Sequence, residues 1–100
     1  MNTSVIQTYI YRVKSSQSGS AARAKAMQSM KAYKGFRSWQ AMVDPNDTSK
    51  FTDILEWDNS EAANAAEATY MDDPETSEFR QAVDEVLYTG NNKVIAIVSA

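Results

Sequence analysis

One hundred residues make a single domain, 1–100, with a small core whose stability a second copy would raise by association. The chain has no cysteine and no histidine, which excludes disulfides, thiolate metal sites, cysteine nucleophiles and a Ser-His-Asp triad, and removes both the commonest metal ligand and the usual base near neutral pH. Net charge is −3, with only positive charges up to Val43 and mostly acidic ones from Phe51 onward; the two halves are expected to neutralise each other side by side rather than bind nucleic acid.

The N-terminal "MNTSVIQTYIYRVK" lacks a basic region followed by an apolar stretch, and no run of 18 apolar residues occurs anywhere. No leader and no membrane span are expected, and cytoplasmic residence is the default. Val5 to Val13 is rich in β-formers, with Val5, Gln7, Tyr9, Tyr11 and Val13 on one face and Ile6, Thr8, Ile10 and Arg12 on the other. Both faces are substantially apolar, which predicts a strand covered on both sides. "SSQSGS", residues 15–20, reads as a polar loop.

A helix is predicted from Ser20, its apolar stripe formed by Ala22, Ala26, Met27, Met30 and Tyr33, with Arg23, Lys25 and Lys31 off the stripe. Gly35 stands where a left-handed residue ends such a helix. Phe36–Val43 and Phe51–Trp57 then read as strands joined by the turn "DPNDTSK", an antiparallel hairpin. Asp58 and Glu61 match a D-x-x-E cap, and Ala62, Ala65, Ala66 and Thr69 give a stripe of small side chains that lets the next helix sit close to what it covers.

Asp73-Pro74 restarts a helix, with Asp73 as cap and Pro74 at its first position. Phe79, Ala82, Val83, Val86 and Leu87 are its predicted apolar face, "TGNN" a turn, and Lys93–Ser99, with "VIAIV", the last strand. The order β-α-β-β-α-β is the ferredoxin-like α+β arrangement, an antiparallel sheet with both helices on one face. The other face carries large apolar groups, which predicts a homodimer with the two sheets packed together.

The segment "KGFRSWQAMVDPNDTSKFTDILEWDNSEAANAA" resembles the antibiotic biosynthesis monooxygenase-type domain of the dimeric α+β barrel superfamily. The resemblance rests on Gly35-Phe36, Asp44-Pro45, Glu56-Trp57, Ser60-Glu61-Ala62 and Ser77-Glu78-Phe79, and runs nearly end to end. It implies a dimeric barrel. Its members include oxygenases, haem-degrading enzymes, isomerases and proteins without known activity. Haem-degrading relatives use a histidine as iron ligand, and this chain has none, so haem is not expected and no cofactor is implied. Cofactor-free quinone-forming members surround a phenolic substrate with Trp, Tyr, Asn and Arg side chains.

That chemistry needs a dry cleft, aromatic walls and a donor or cation that favours the phenolate. The residues suited to it are Tyr9, Tyr11, Trp39, Trp57 and Tyr70 as walls, with Arg12, Arg37 and Asn64 as polar contacts. Each aromatic has a competing role in the core or at a dimer interface, and Asn64 a competing role as a solvated helix position. Asp53 qualifies as a general base if buried, or as the partner of a cation on a neighbouring strand. Asp72-Asp73 is explained by helix capping, and no metal site is expected. The functional alternatives are a cofactor-independent monooxygenase acting on a small aromatic or polyketide-type compound, a non-catalytic small-molecule-binding dimer, and a structural homodimer.

Overall fold

The computed structural model describes residues 4–100, with the backbone alone for 16–18. Residues 1–3 of the N-terminal segment, read above as carrying no leader, lie outside the described residues. The elements are β1 (Val5–Val13), α1 (Ser16–Met30), β2 (Phe36–Asp44), β3 (Asp47–Trp57), α2 (Ser60–Asp72), a 3-10 turn (Pro74–Thr76), α3 (Ser77–Ala82) and β4 (Val83–Asn92). The four strands form one sheet in the order β2-β3-β1-β4, every neighbouring pair antiparallel. This is the ferredoxin-like fold that the element order implied. Among the described residues no helix is long and apolar enough to cross a membrane.

The register explains which side chains meet. Tyr9 pairs with Asp53, Tyr11 with Phe51 and Trp39 with Leu55, so these side chains share the face that the helices cover. Between Phe36 and Ser38 the register slips, and Phe36 rather than Arg37 pairs with Trp57. Such a bulge re-aims the residue it contains. Two buried clusters result. One gathers Val5, Met30, Leu55, Trp57, Ala63 and Ala66. The other gathers Tyr11, Val13, Ala22, Ala26 and Phe79.

Several sequence expectations need correction. The segment 15–20 is no loop, since α1 begins at Ser16. Strand β3 begins at Asp47, four residues before the predicted start, because the hairpin closes tightly through Pro45-Asn46 with Asn46 N–H donating to Asp44 Oδ1 at 2.8 Å. The cap of α2 is Asn59, whose side chain accepts from Ala62 N–H at 2.8 Å, one residue after Asp58. Ala63 and Ala66 are its buried small residues, while Ala65 and Thr69 are exposed.

The largest correction is at the C-terminus. Asp73 caps as expected, accepting from Glu75 N–H at 2.9 Å with Pro74 following. The helix, however, stops at Ala82, and Val83–Asn92 pairs with β1 as β4. "TGNN" therefore lies within a strand. The predicted strand 93–99 has no regular structure, and Ile95 is 97% exposed. The edge of β1 needs a partner for its backbone groups, and that demand outweighs the helical spacing of Val83, Val86 and Leu87.

Basic and acidic halves do neutralise each other. Arg12 pairs with Asp47 and Glu85, Lys25 with Glu75 and Glu78, and Arg37 with Glu56 and Asp58.

Helix α1 ends at Met30 rather than at Gly35, which instead turns the chain into β2 with φ of +80°, and a Cβ placed there would stand 2.5 Å from Ala62 Cβ. Backbone strain and the approach of α2 act together. Gly35→Ala is therefore expected to lose about 2 kcal/mol or more, read as a lower urea midpoint, and an unchanged midpoint would contradict this close contact.

Candidate functional site

A cavity of about 230 Å³ opens between the sheet and the helices. Gln7 and Tyr9 from β1, Trp39 from β2, Asp53, Leu55 and Trp57 from β3, and Val86 and Thr89 from β4 line its sheet side. Met30 from α1, Ala66, Glu67, Tyr70 and Met71 from α2, and Phe79 from α3 line the helical side. Small Ala66 lets α2 approach, while Tyr70 one turn later fills out the wall. The volume lies below the usual range for drug-sized ligands, so it suits one or two fused rings.

Asp53 is fully buried in this apolar, aromatic surrounding. Burial pushes its carboxyl up to about 6, against partial opposition from the Tyr11 hydrogen bond, the Arg23 charge and nearby Trp39. Tyr11 Oη donates to Asp53 Oδ2 at 2.8 Å. Arg23 in turn donates to Tyr11 Oη from Nε at 3.1 Å and from Nη2 at 2.8 Å. Arg23 is 8% exposed, and its guanidinium lies over the Phe51 ring at 4.3 Å.

Among the described residues, two buried side-chain atoms have no hydrogen-bond partner, Asp53 Oδ1 and Trp39 Nε1. Trp39 lies near enough to draw the carboxyl down slightly but does not close a hydrogen bond with it. Both residues line the cavity, and a hydroxyl group brought to these two atoms would meet one acceptor and one donor.

The aromatic candidates divide by position. Tyr9, Trp39, Trp57 and Tyr70 line the cavity. Tyr11 lies beneath it, fully buried between Asp53, Arg23, Phe51 and Phe79. Burial raises the phenols of Tyr9, Tyr11 and Tyr70, with the Asp53 charge adding to each, so they stay protonated. Trp57 is fully buried, with Nε1 donating to Gln7 Oε1 at 3.1 Å and an edge contact to Phe36 at 5.5 Å. It closes the wall of the cavity.

The polar candidates stand elsewhere. The bulge in β2 leaves Arg37 on the surface between Glu56 and Asp58. Arg12 is held by Asp47 where β1 ends and β3 begins, and Asn64 lies exposed on α2. A buried cation does stand behind the site, on Tyr11: it is Arg23, which the sequence reading placed off the helical stripe. Its spacing of three before Ala26 and seven before Met30, both buried, was the available signal.

Asp73 accepts from Ser29 and from Tyr33 Oη as well as capping the turn, which holds its carboxyl below the usual range and ties α1 to the segment after α2. Among the described residues no cluster of three or more His, Cys, Asp or Glu is arranged to hold a metal ion.

No protein-family model and no curated protein matches the sequence. Solved structures do match in fold. SnoaB, a cofactor-independent oxygenase from Streptomyces nogalater, superposes with a TM-score of 0.84 at 13% identity, over 98% of this chain and 99% of that one. A candidate antibiotic biosynthesis monooxygenase from Bordetella bronchiseptica gives 0.78 at 9% identity, over 94% and 99%. Another from Chloroflexus aurantiacus gives 0.71 at 13% identity, over 96% and 97%. The chain thus has, over nearly its whole length, the fold of antibiotic biosynthesis monooxygenase-type domains.

Proposed function

We propose that the protein is a cofactor-independent monooxygenase-type enzyme that binds a small hydroxylated aromatic compound and withdraws its hydroxyl proton with Asp53. The observation that carries this is the buried carboxyl at an aromatic cavity, with one oxygen held by Tyr11 and the other unpartnered beside the unpartnered Trp39 Nε1. A base near pH 6 is ionised at neutral pH and still accepts a proton readily. The substrate hydroxyl would donate to Asp53 Oδ1 and accept from Trp39 Nε1. As the proton moves, the indole N–H remains on the forming phenolate. Tyr9, Trp57, Tyr70 and Phe79 surround the ring system and exclude water.

The phenolate then reduces dioxygen directly. One oxygen atom bonds to a ring carbon, the other leaves as water, and a phenol with O2 becomes a quinone with H2O; all the electrons come from the substrate. The test is oxygen uptake with hydroxylated naphthalenes and their methyl ethers. 1-Naphthol is expected to consume one O2 per quinone formed and its methyl ether none. No uptake with any hydroxylated naphthalene would reject the catalytic reading and leave a binding protein.

The same reading includes a homodimer. Val86, Leu87 and Tyr88 of β4 and Val94, Ile95, Ile97 and Val98 beyond it are exposed apolar side chains, more than a lone protomer of this size leaves in water. Sedimentation at micromolar concentration is expected to give twice 11.1 kDa, and a species of 11.1 kDa alone would refute it.

A further inference from the structure

Arg23 is a buried cation whose polar contacts are to a phenol, and among the described residues no carboxylate pairs with it directly. A guanidinium taken from water into an aromatic cluster is costly unless its donors are used. Here Nε and Nη2 both go to Tyr11 Oη. A phenolic oxygen has two acceptor lone pairs and one proton. With both donors set against one side of the oxygen, the phenolic proton is turned away from Arg23, toward Asp53 Oδ2 at 2.8 Å.

This has a consequence for the carboxyl. If Tyr11 were free to turn, a protonated Asp53 would donate from Oδ2 to Tyr11 and would hide its proton beneath the cavity. With Arg23 in place, the Tyr11 proton stays on the Asp53 side, Oδ2 serves as its acceptor, and a proton on the carboxyl sits on Oδ1. Resting on the reading of Asp53 as the base, we propose that Arg23 is a positioning residue: by donating twice to Tyr11 Oη from one side it aims the phenolic proton at Asp53 Oδ2 and makes Oδ1 the oxygen that gains a proton from the substrate and returns one to the peroxide oxygen that leaves as water. Arg23 touches neither the cavity nor the reacting atoms, and it acts through Tyr11.

The groups facing Asp53 are Tyr9 and Tyr11 from β1, Trp39 from β2, Arg23 from α1 and Tyr70 from α2. Of these only Arg23 is positively charged. The test follows the Asp53 carboxyl by carbon NMR of aspartate-labelled protein through a pH titration, in wild type, Arg23→Gln, Arg23→Lys, Tyr11→Phe and the Tyr11→Phe/Arg23→Gln pair. The wild-type midpoint is expected at about 6. Arg23→Gln should raise it by about one pH unit or more, and in the Tyr11→Phe background the same change should raise it by less than half as much. Arg23→Lys, which keeps the charge but not the fork, should also raise it and serves where the glutamine variant does not fold. Equal shifts with and without Tyr11 would make Arg23 a bare charge and overturn the proposal, as would a lysine variant indistinguishable from wild type. A wild-type midpoint near an ordinary aspartate would instead remove Asp53 as the base.

Discussion

Trp57→Ala is expected to lower stability by about 3–5 kcal/mol, the range for deleting a large buried aromatic side chain. The indole is fully buried, packs its edge on Phe36 and places Nε1 on Gln7 Oε1. Truncation removes the packing, leaves a void continuous with the cavity and strips Gln7 of its donor. A 100-residue domain has about 5–15 kcal/mol in total, so the variant should lose a large share of it. Trp57→Phe keeps most of the volume and loses the N–H, with an expected cost of about 1–3 kcal/mol for the unsatisfied Gln7 acceptor. Urea midpoints of the two variants check this. An alanine variant within about 1 kcal/mol of wild type would place Trp57 outside the core, contrary to the packing.

Asp53→Asn should have opposite effects on stability and activity. The folded carboxyl titrates at about 6, above the ordinary 3.8. Between those values the folded chain holds a proton that the unfolded chain has already released, so stability falls as pH rises through that window, by about 3 kcal/mol in all. Asparagine is never ionised and still offers Tyr11 an acceptor. Its stability relative to wild type should therefore grow from pH 4 to pH 8, reaching a gain of about 1–3 kcal/mol after allowing for its poorly placed amide donor beside Trp39. Activity should fall by about 10²–10⁴-fold, the usual contribution of a positioned base. Denaturation curves at the two pH values decide the first part: a variant less stable than wild type at pH 8 would mean that the buried charge is better compensated than the Tyr11 contact alone provides. A trade of this sign is common where a group is held for chemistry.

Much of the fold was legible because local and tertiary signals agreed. In β1 the β-branched and aromatic run, in the hairpin the Asp-Pro-Asn turn, and at Gly35 the need for positive φ all pointed one way. The last quarter misled because its local signals were ambiguous. Val83-Asp84-Glu85-Val86-Leu87 fits a helical stripe as well as an edge strand, and only the unpaired side of β1 settles the matter. "VIAIV" has the composition of a buried strand, yet among the described residues it lies exposed.

Site residues were legible by type more than by direction. Tyr9, Trp39 and Trp57 do converge, because alternation along paired strands fixes which faces they share, and Tyr70 joins them from α2. Arg37 was turned away by a bulge that spacing cannot show. Arg23 was missed because a cation on a helix is ordinarily solvent-facing; its burial depends on Tyr11, twelve residues earlier on a different element. Asp53 was legible only conditionally, since its role rests on burial, which is a property of the packed whole.

The most direct test of the central claim, that Asp53 is the proton acceptor of this cavity, is the pH profile of oxygen uptake with 1-naphthol for wild type and Asp53→Asn. Wild type should lose activity on the acid side with a midpoint at about 6, and the variant should show little activity and no such limb. An asparagine variant with undiminished uptake and the wild-type profile would contradict it.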